Sequence, residues 1–310
     1  MTSGPAIDLG RPDALRLRLP ATSANLGPGF DAAAVALDFF LEIEAEPAQK
    51  FSVIASGRDA ERCARLEDHL IIETYKQIMR SQKLEIVPLS IRMVNGIPLG
   101  MGCGSSAAAR LAGITLAVHF GKLNWNTGQV LEEAYKLEGH ADNVAACWLG
   151  GFVTVVCEGT KVHAARTDAP PEWRAILALP DEPLSTSKAR AVLPSSFPLE
   201  DVVSNLQSVA VLGLAFAQAR GDLLRLAMKD RIHQPYRAAI CPLLPVLLPL
   251  MGEHGILGVA LSGAGPAVLV VVDREESVVN AATAVQNRMR SELLICRFSG
   301  IGAFQAIENI

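Results

Sequence analysis

The residues with the plainest chemical potential lie at Pro98–Ala108, which reads P-L-G-M-G-C-G-S-S-A-A. Gly100, Gly102 and Gly104 alternate, and glycine permits positive φ while leaving no Cβ in the path of a ligand. Backbone N–H groups of such a loop can converge on anionic oxygens. Ser105 and Ser106 then open an alanine-rich run, so the unpaired N–H groups and dipole of a helix start add to the attraction for phosphate. Their hydroxyls can meet phosphate oxygens or a magnesium ion. No lysine precedes the serines, so this is not the G-x-x-x-x-G-K-[ST] loop. Nor does it follow the G-x-G-x-x-G frame with a later acidic residue, which disfavours a dinucleotide. The chemistry indicated is the cradling of a phosphate-bearing ligand at a helix start.

A loop of this kind needs a strand before it and a helix after it. Leu89, Ile91 and Met93 alternate in the second half of Leu84–Val94, which ends at the turn signal Asn95-Gly96. Apolar positions 107, 111, 114 and 118 predict a helix over Ser105–Phe120. Other helices are expected at Glu67–Ser81, Thr127–Leu137, Glu200–Arg220 and Glu275–Arg290, and strands at Leu15–Leu19, Phe152–Cys157, Ala175–Leu179, Leu257–Leu261, Ala267–Val272 and Leu293–Arg297. Residues 1–13 read as a loose lead-in, and Thr167–Pro171 as a linker. Strands and helices mix without strict βαβ alternation, which predicts an α+β protein in two domains, 1–166 and 172–310.

Composition narrows the partners. The chain has 310 residues, 50% of them hydrophobic and 19% charged, enough apolar content for a sizeable core. A net charge of -4 with dispersed Lys and Arg gives no footprint for nucleic acid. The six cysteines show no C-x-x-C pair, a pattern of reducing surroundings. The apolar windows Cys241–Met251 and Leu257–Val272 are broken by proline and glycine, and no secretory leader is apparent. The expectation is a soluble cytoplasmic protein with a small-molecule substrate and no membrane partner.

The loop resembles the ATP loop of the GHMP kinases, and two further blocks fit the same family in the same order. Pro20-Ala21-Thr22-Ser23-Ala24-Asn25-Leu26-Gly27-Pro28-Gly29-Phe30-Asp31 is similar to its first motif, and Leu261-Ser262-Gly263-Ala264-Gly265-Pro266 to its third. Cys103 stands where the family usually has leucine, and Ala267 where it often has threonine. The resemblance implies the two-domain GHMP kinase fold, with an N-terminal nucleotide domain like ribosomal S5 domain 2 and a ferredoxin-like C-terminal domain. It also implies that Pro98, Leu99, Gly100, Met101, Gly102, Cys103, Gly104, Ser105, Ser106, Ala107 and Ala108 bind ATP, and that Ser262, Gly263, Ala264 and Gly265 form the third loop.

Glu138-Gly139-His140-Ala141-Asp142-Asn143-Val144-Ala145 is similar to the E-G-H-P-D-N-V-A block of the homoserine kinases within that family, with alanine for the usual proline. The segments ending in Arg190 and Arg237 look like theirs as well. What this implies is ATP-dependent phosphorylation of the side-chain hydroxyl of L-homoserine to O-phospho-L-homoserine, a step of threonine biosynthesis. The implied substrate contacts are Asn25, Asp31, His140 and Asn143, with Asp31 on the ammonium, and Arg190 and Arg237 on the carboxylate. A guanidinium suits the last task because it binds both oxygens in one plane. Asn143 is the implied catalytic residue; an amide cannot take a proton, so it would orient the hydroxyl. By the same resemblance Mg2+ would be held by Ser105 and by Glu132, eleven residues before Asn143, with Glu133 as the rival. Family analogy adds a homodimer. The alternatives are a sister GHMP kinase acting on another small alcohol, or a catalytically silent ligand sensor on this fold.

Overall fold

Alternation of Leu15, Leu17 and Leu19 with arginines does open a strand, β1 (Leu15–Asn25), in a computed structural model that describes residues 14–305 and 307–309. The lead-in expected over 1–13 lies outside the described residues. The three leucines are buried while Arg16 and Arg18 face out, as the two-residue period of a strand requires. β2 (Gly29–Pro47) runs antiparallel to β1 and is 19 residues long. β3 (Ser52–Gly57) pairs in parallel with β4 (Leu89–Asn95), and β4 pairs with the second half of β2. The strand expected over 84–94 thus starts only at Leu89. Pro88 lacks the N–H that a ladder needs, and the alternation sits wholly beyond it. β5 (Phe152–Glu158) and β6 (Lys161–Thr167) form a hairpin joined to the first half of β2.

The chain leaves β6 at Thr167 and enters a second, four-stranded sheet at β7 (Arg174–Leu179), completed by β8 (Ile256–Leu261), β9 (Val268–Val272) and β10 (Glu292–Cys296) in the order β10-β7-β9-β8. A last short strand, β11 (Ile307–Asn309), returns to pair with β1 in the first sheet.

Helices cover both sheets. α1 (Ala60–Cys63), α2 (Leu70–Ser81), α3 (Ser105–Phe120), α4 (Thr127–Glu138) and α5 (Asp142–Leu149) belong to the first part of the chain. α6 (Thr186–Ala191), α7 (Leu199–Ala217), α8 (Gly221–Ala227), α9 (Gln234–Arg237), α10 (Leu243–Leu247) and α11 (Val278–Arg288) belong to the second. α3 has the predicted bounds. It is buried nearly all round, and Gly113 lets α2 pack closely against it, since a Cβ there would come 2.5 Å from Ile71 O. α4 opens with a capping box in which Asn126 and Gln129 exchange side-chain bonds with each other's backbone N–H. α7 stops at Ala217 rather than running to 220, because Ala219 takes a left-handed conformation, φ 55°.

In the second sheet β7, β8 and β9 are buried on both faces, while β10 at its edge is partly exposed. Ala175, Leu177 and Leu179 of β7 pack toward Phe216 of α7 and Leu224 of α8, while Ile176 and Ala178 pack toward Leu244 of α10 and Val285 of α11. Phe216 also stacks on Phe152 of β5, ring centroids 4.3 Å apart, which locks the two sheets together. α7 is long and apolar enough, by length and composition, to cross a membrane. Leu212, Ala215 and Phe216 on one side of it belong to the core, and Leu199, Val203, Leu206 and Leu214 are exposed on the other.

Candidate active site

Three glycine-bearing turns meet where the two sheets join. The Pro98–Gly104 loop precedes α3, Asn25–Pro28 joins β1 to β2, and Ser262–Ala267 joins β8 to β9. They are laced by hydrogen bonds: Thr22 N–H donates to Cys103 O at 3.1 Å and Gly263 N–H to Ala24 O at 3.0 Å. Ser262 Oγ donates to Gly102 O at 2.8 Å, and Asn25 Nδ2 to Gly263 O at 2.7 Å. The fit is close enough to dictate residue type. A Cβ on Gly102 would come 2.1 Å from Ser262 O, and Gly102 also needs φ 77°. Asn25 and Asp31 themselves hold left-handed backbone, φ 70° and 54°. Backbone strain of this kind persists where surrounding contacts over-determine it.

Around these turns lies a cavity of about 250 Å³. Asn25, Asp31, His140, Asn143, Arg190 and Arg237, dispersed over more than two hundred residues of sequence, all line it together with Gly100, Gly102–Ser106 and Gly263–Gly265, whereas Met101 does not. Ser105 and Ser106 occupy the first turn of α3, which follows Gly104 at φ 73° and has no side-chain cap. Its leading N–H groups are therefore left for an anion.

Charge within the cavity is organised in pairs. Arg190, on α6, donates to both oxygens of Asp31, at 3.0 and 2.6 Å. Its hydrogen bond to Asp31 raises the Arg190 pKa further, against burial. Arg237, on α9, is 1% exposed. Its Nε donates to Ala189 O at 3.0 Å and its Nη1 to His233 Nδ1 at 3.1 Å. His233 in turn donates from Nε2 to Gly27 O at 2.7 Å, which fixes its tautomer; burial above all pushes its pKa down and keeps it neutral. Burial, followed by repulsion from Arg190, lowers the pKa of Arg237.

The α4–α5 junction supplies the other wall. Asp142 Oδ1 accepts from the Asn143 N–H at 2.6 Å and lies 3.3 Å from His140 Nδ1. Burial works against charge on His140, but Asp142, Glu138 and Asp31 outweigh it, and the pKa of His140 is raised. Asn143 Oδ1 accepts from Thr22 Oγ1 at 2.6 Å.

The carboxylate beside the loop hydroxyls is Glu138. Its Oε2 accepts from Ser106 Oγ at 2.9 Å and from Arg110 Nε at 2.6 Å. Glu132 does not line the cavity, and Glu133 pairs with Lys136 at 3.0 Å. The reason is helical: six residues along α4 amount to about 9 Å of rise and leave the two side chains about a third of a turn apart, so residues 132 and 138 do not share a neighbourhood. The signal available in sequence was Gly139. A helix that stops there must end beside His140, and its last residue is Glu138.

A second cavity, about 340 Å³, shares Gly100, Ser105 and Ser106 with the first and extends between Leu41, Ile71 and Met93. Cys103 turns its side chain inward, 1% exposed, and burial pushes its thiol up to about 12. Ala267 is likewise fully buried, so both departures from the family pattern fall in packing. Thr22, Arg110, Glu138 and His233 are site residues that sequence reasoning missed. Thr22 stood inside a motif with no chemistry assigned, and nothing local reveals a partner 121 residues away.

The family model for the GHMP kinases N terminal domain matches residues 69–151, and that for GHMP kinases C terminal matches residues 214–291. A homoserine kinase of Solibacter usitatus is 42% identical over 284 residues, 90% of this chain and 93% of that protein. A homoserine kinase of Thermus thermophilus is 41% identical, over 88% of this chain and 92% of that one. The crystal structure of homoserine kinase from Cytophaga hutchinsonii shares the fold, with a TM-score of 0.79 at 24% identity, covering 96% of this chain and 98% of that one.

Proposed function

The chain belongs to the homoserine kinases of the GHMP kinase family, and from that premise we propose that it transfers the γ-phosphoryl group of ATP to the side-chain hydroxyl of L-homoserine. The observation that carries the reading is the meeting of charged side chains suited to an amino acid with a phosphate loop in one cavity: Asp31, Arg190 and Arg237 line it together with Gly100 and Gly102–Ser106. The second cavity, continuous with the loop and lined by Leu41, Ile71, Met93 and Ile97 as well as by Arg62, Glu67 and His69, suits the adenine base.

In this reading the bare N–H groups of α3 and the loop hold the phosphates. Asp31 takes the substrate ammonium, Arg190 and Arg237 its carboxylate, and Asn25 and His140 complete the polar wall. Phosphoryl transfer is mostly positioning and charge neutralisation. The acceptor oxygen bonds to the γ-phosphorus as the bond to the β–γ bridging oxygen breaks, and ADP departs. Asn143 orients the acceptor; the hydroxyl proton passes to the transferred phosphoryl group or to solvent. Each carboxylate that lines the cavity already has a partner: Asp142 with Asn143 and His140, Asp31 with Arg190, Glu138 with Ser106 and Arg110.

Magnesium fits the donors present. Ser106 Oγ and Glu138 Oε2, hydrogen-bonded at 2.9 Å, bring two hard oxygens together beside the loop, the donor type that magnesium prefers. Among the described residues no group of three or more His, Cys, Asp or Glu side chains could hold a metal. Magnesium commonly uses one or two protein ligands and takes the rest from phosphates and water. Glu138 with Ser105 or Ser106 would hold it, and it would neutralise charge on the phosphates.

A coupled assay of ADP release with homoserine, mevalonate, galactose and shikimate as acceptors tests the reading. Turnover is expected with homoserine alone, and O-phosphohomoserine as the product. Turnover with another of these alcohols, or no single-turnover transfer of the γ-phosphate to homoserine, overturns it.

A further inference from the structure

Thr22 is fully buried in β1, and both its N–H and its hydroxyl are directed at the site. The N–H donates to Cys103 O at 3.1 Å, tethering the phosphate loop. The hydroxyl lies over the same loop: a Cβ on Gly104 would come within 1.9 Å of Oγ1. From that confined position Oγ1 donates to Asn143 Oδ1 at 2.6 Å. Asn143 is thereby held at two points, its backbone N–H by Asp142 and its side-chain carbonyl by Thr22.

We propose that Thr22 is a positioning residue for phosphoryl transfer: by engaging the carbonyl of Asn143 it turns the NH2 end of that amide toward the acceptor hydroxyl. This rests on the homoserine kinase reading above. An asparagine side chain has one acceptor end and one donor end, and rotation of the amide plane exchanges them. With the carbonyl engaged by Thr22, the amide meets the substrate as a donor. It then bonds to a lone pair of the acceptor oxygen and leaves the O–H of the alcohol directed at the phosphate. A carbonyl facing the alcohol would do the reverse, drawing the proton away from the phosphate. Because Thr22 also carries the loop through Cys103, the donor and the phosphate cradle are set by one residue.

Thr22→Val keeps the shape and removes the donor; Thr22→Ser keeps the donor. The expected result for Thr22→Val is a kcat lower by about tenfold, the effect of one buried hydrogen bond, with the KM values for ATP and homoserine within about twofold to threefold. Thr22→Ser is expected to retain most of the wild-type kcat. In an Asn143→Ala background, Thr22→Val should lower kcat no further, since its action runs through that amide. Wild-type kcat in Thr22→Val, or a loss that multiplies onto that of Asn143→Ala, overturns the proposal. Thr22→Ala serves the same comparison should the valine variant not fold. A wild-type enzyme that does not phosphorylate homoserine overturns the functional reading itself, whereas an active wild type with an indifferent Thr22→Val overturns only this inference.

Discussion

Arg190 grips both oxygens of Asp31, at 3.0 and 2.6 Å, and so ties α6 to β2 across the cavity. The two groups assigned to opposite ends of the substrate are already each other's partners. A zwitterionic amino acid can replace this pair, because its ammonium satisfies Asp31 while its carboxylate satisfies Arg190. A ligand with one charge leaves one member of the pair stranded, and a stranded charge costs more than the hydrogen bond it no longer makes. The expectation is that 4-hydroxybutyrate and 3-amino-1-propanol are poorer acceptors than homoserine by more than about 100-fold in kcat/KM. Arg190→Lys, which cannot offer a planar fork, should raise the KM for homoserine by about tenfold and leave that for ATP within about twofold. Initial-rate kinetics with each substrate varied in turn checks both.

Arg237 carries two burdens. Besides facing the cavity it holds Ala189 O and His233, and through His233 it reaches the turn at Gly27. Arg237→Ala should therefore raise the KM for homoserine and also lower the melting temperature by several degrees, because Ala189 O and His233 Nδ1 lose a buried donor. Thermal melts beside the kinetics separate the two effects. An unchanged melting temperature would mean that the buried network does not depend on this side chain.

The catalytic assignment of Asn143 predicts a different signature. Asn143→Ala removes the amide but leaves the Asp142–His140 contact and the backbone of α5, so the cavity keeps its shape. Turnover should fall by about 100-fold, as for loss of one preorganised donor, with ATP binding little changed. Titration of a fluorescent ATP analogue alongside kcat distinguishes this from a general loss of structure.

Much of this arrangement was legible in the chain because its signals are local. Gly104-Ser105 marks the start of α3 and the 3.6-residue spacing of apolar positions its run, and Thr127 opens α4. β2 was not legible. Its Ala32–Ala36 stretch carries no alternation, being packed against β1, β5 and α5 on different sides. α5 was hidden for another reason, since Asp142 and Asn143 read as site chemistry and also begin a helix. Within the site, residues in glycine-marked turns could be named from sequence. Partners that depend on which way a helix or strand faces, such as Glu138 and Thr22, could not.

Glu138 supplies the sharpest contrast between counting residues and following the helix. It is nearly buried, at 9% side-chain exposure, and touches a loop serine, while Glu132 lines no part of the cavity. Glu138→Gln should raise the magnesium concentration needed for half-maximal rate by about tenfold or more, since a neutral amide is a weaker ligand for a hard cation. Glu132→Gln should leave it within about twofold. Activity measured against free magnesium at fixed ATP decides between them, and a shift confined to Glu132→Gln would return the metal to that residue.

His140 adds a dependence on pH that can be read without any substrate. Although burial opposes its charge, Asp142, Glu138 and Asp31 together raise its pKa above the ordinary 6.5. A pKa raised on folding means that the folded state holds the proton more tightly than the unfolded chain does. The stabilisation is therefore complete below about 6.5, the unfolded value, and fades as pH rises through the raised one. Wild type and His140→Gln, melted in parallel from pH 5.5 to 8.5, should differ most at the acid end, with the gap narrowing toward the alkaline end. A gap that stays constant would place neutral imidazole against Asp142 throughout. A gap that widens with pH would mean that burial, and not the three carboxylates, governs this histidine.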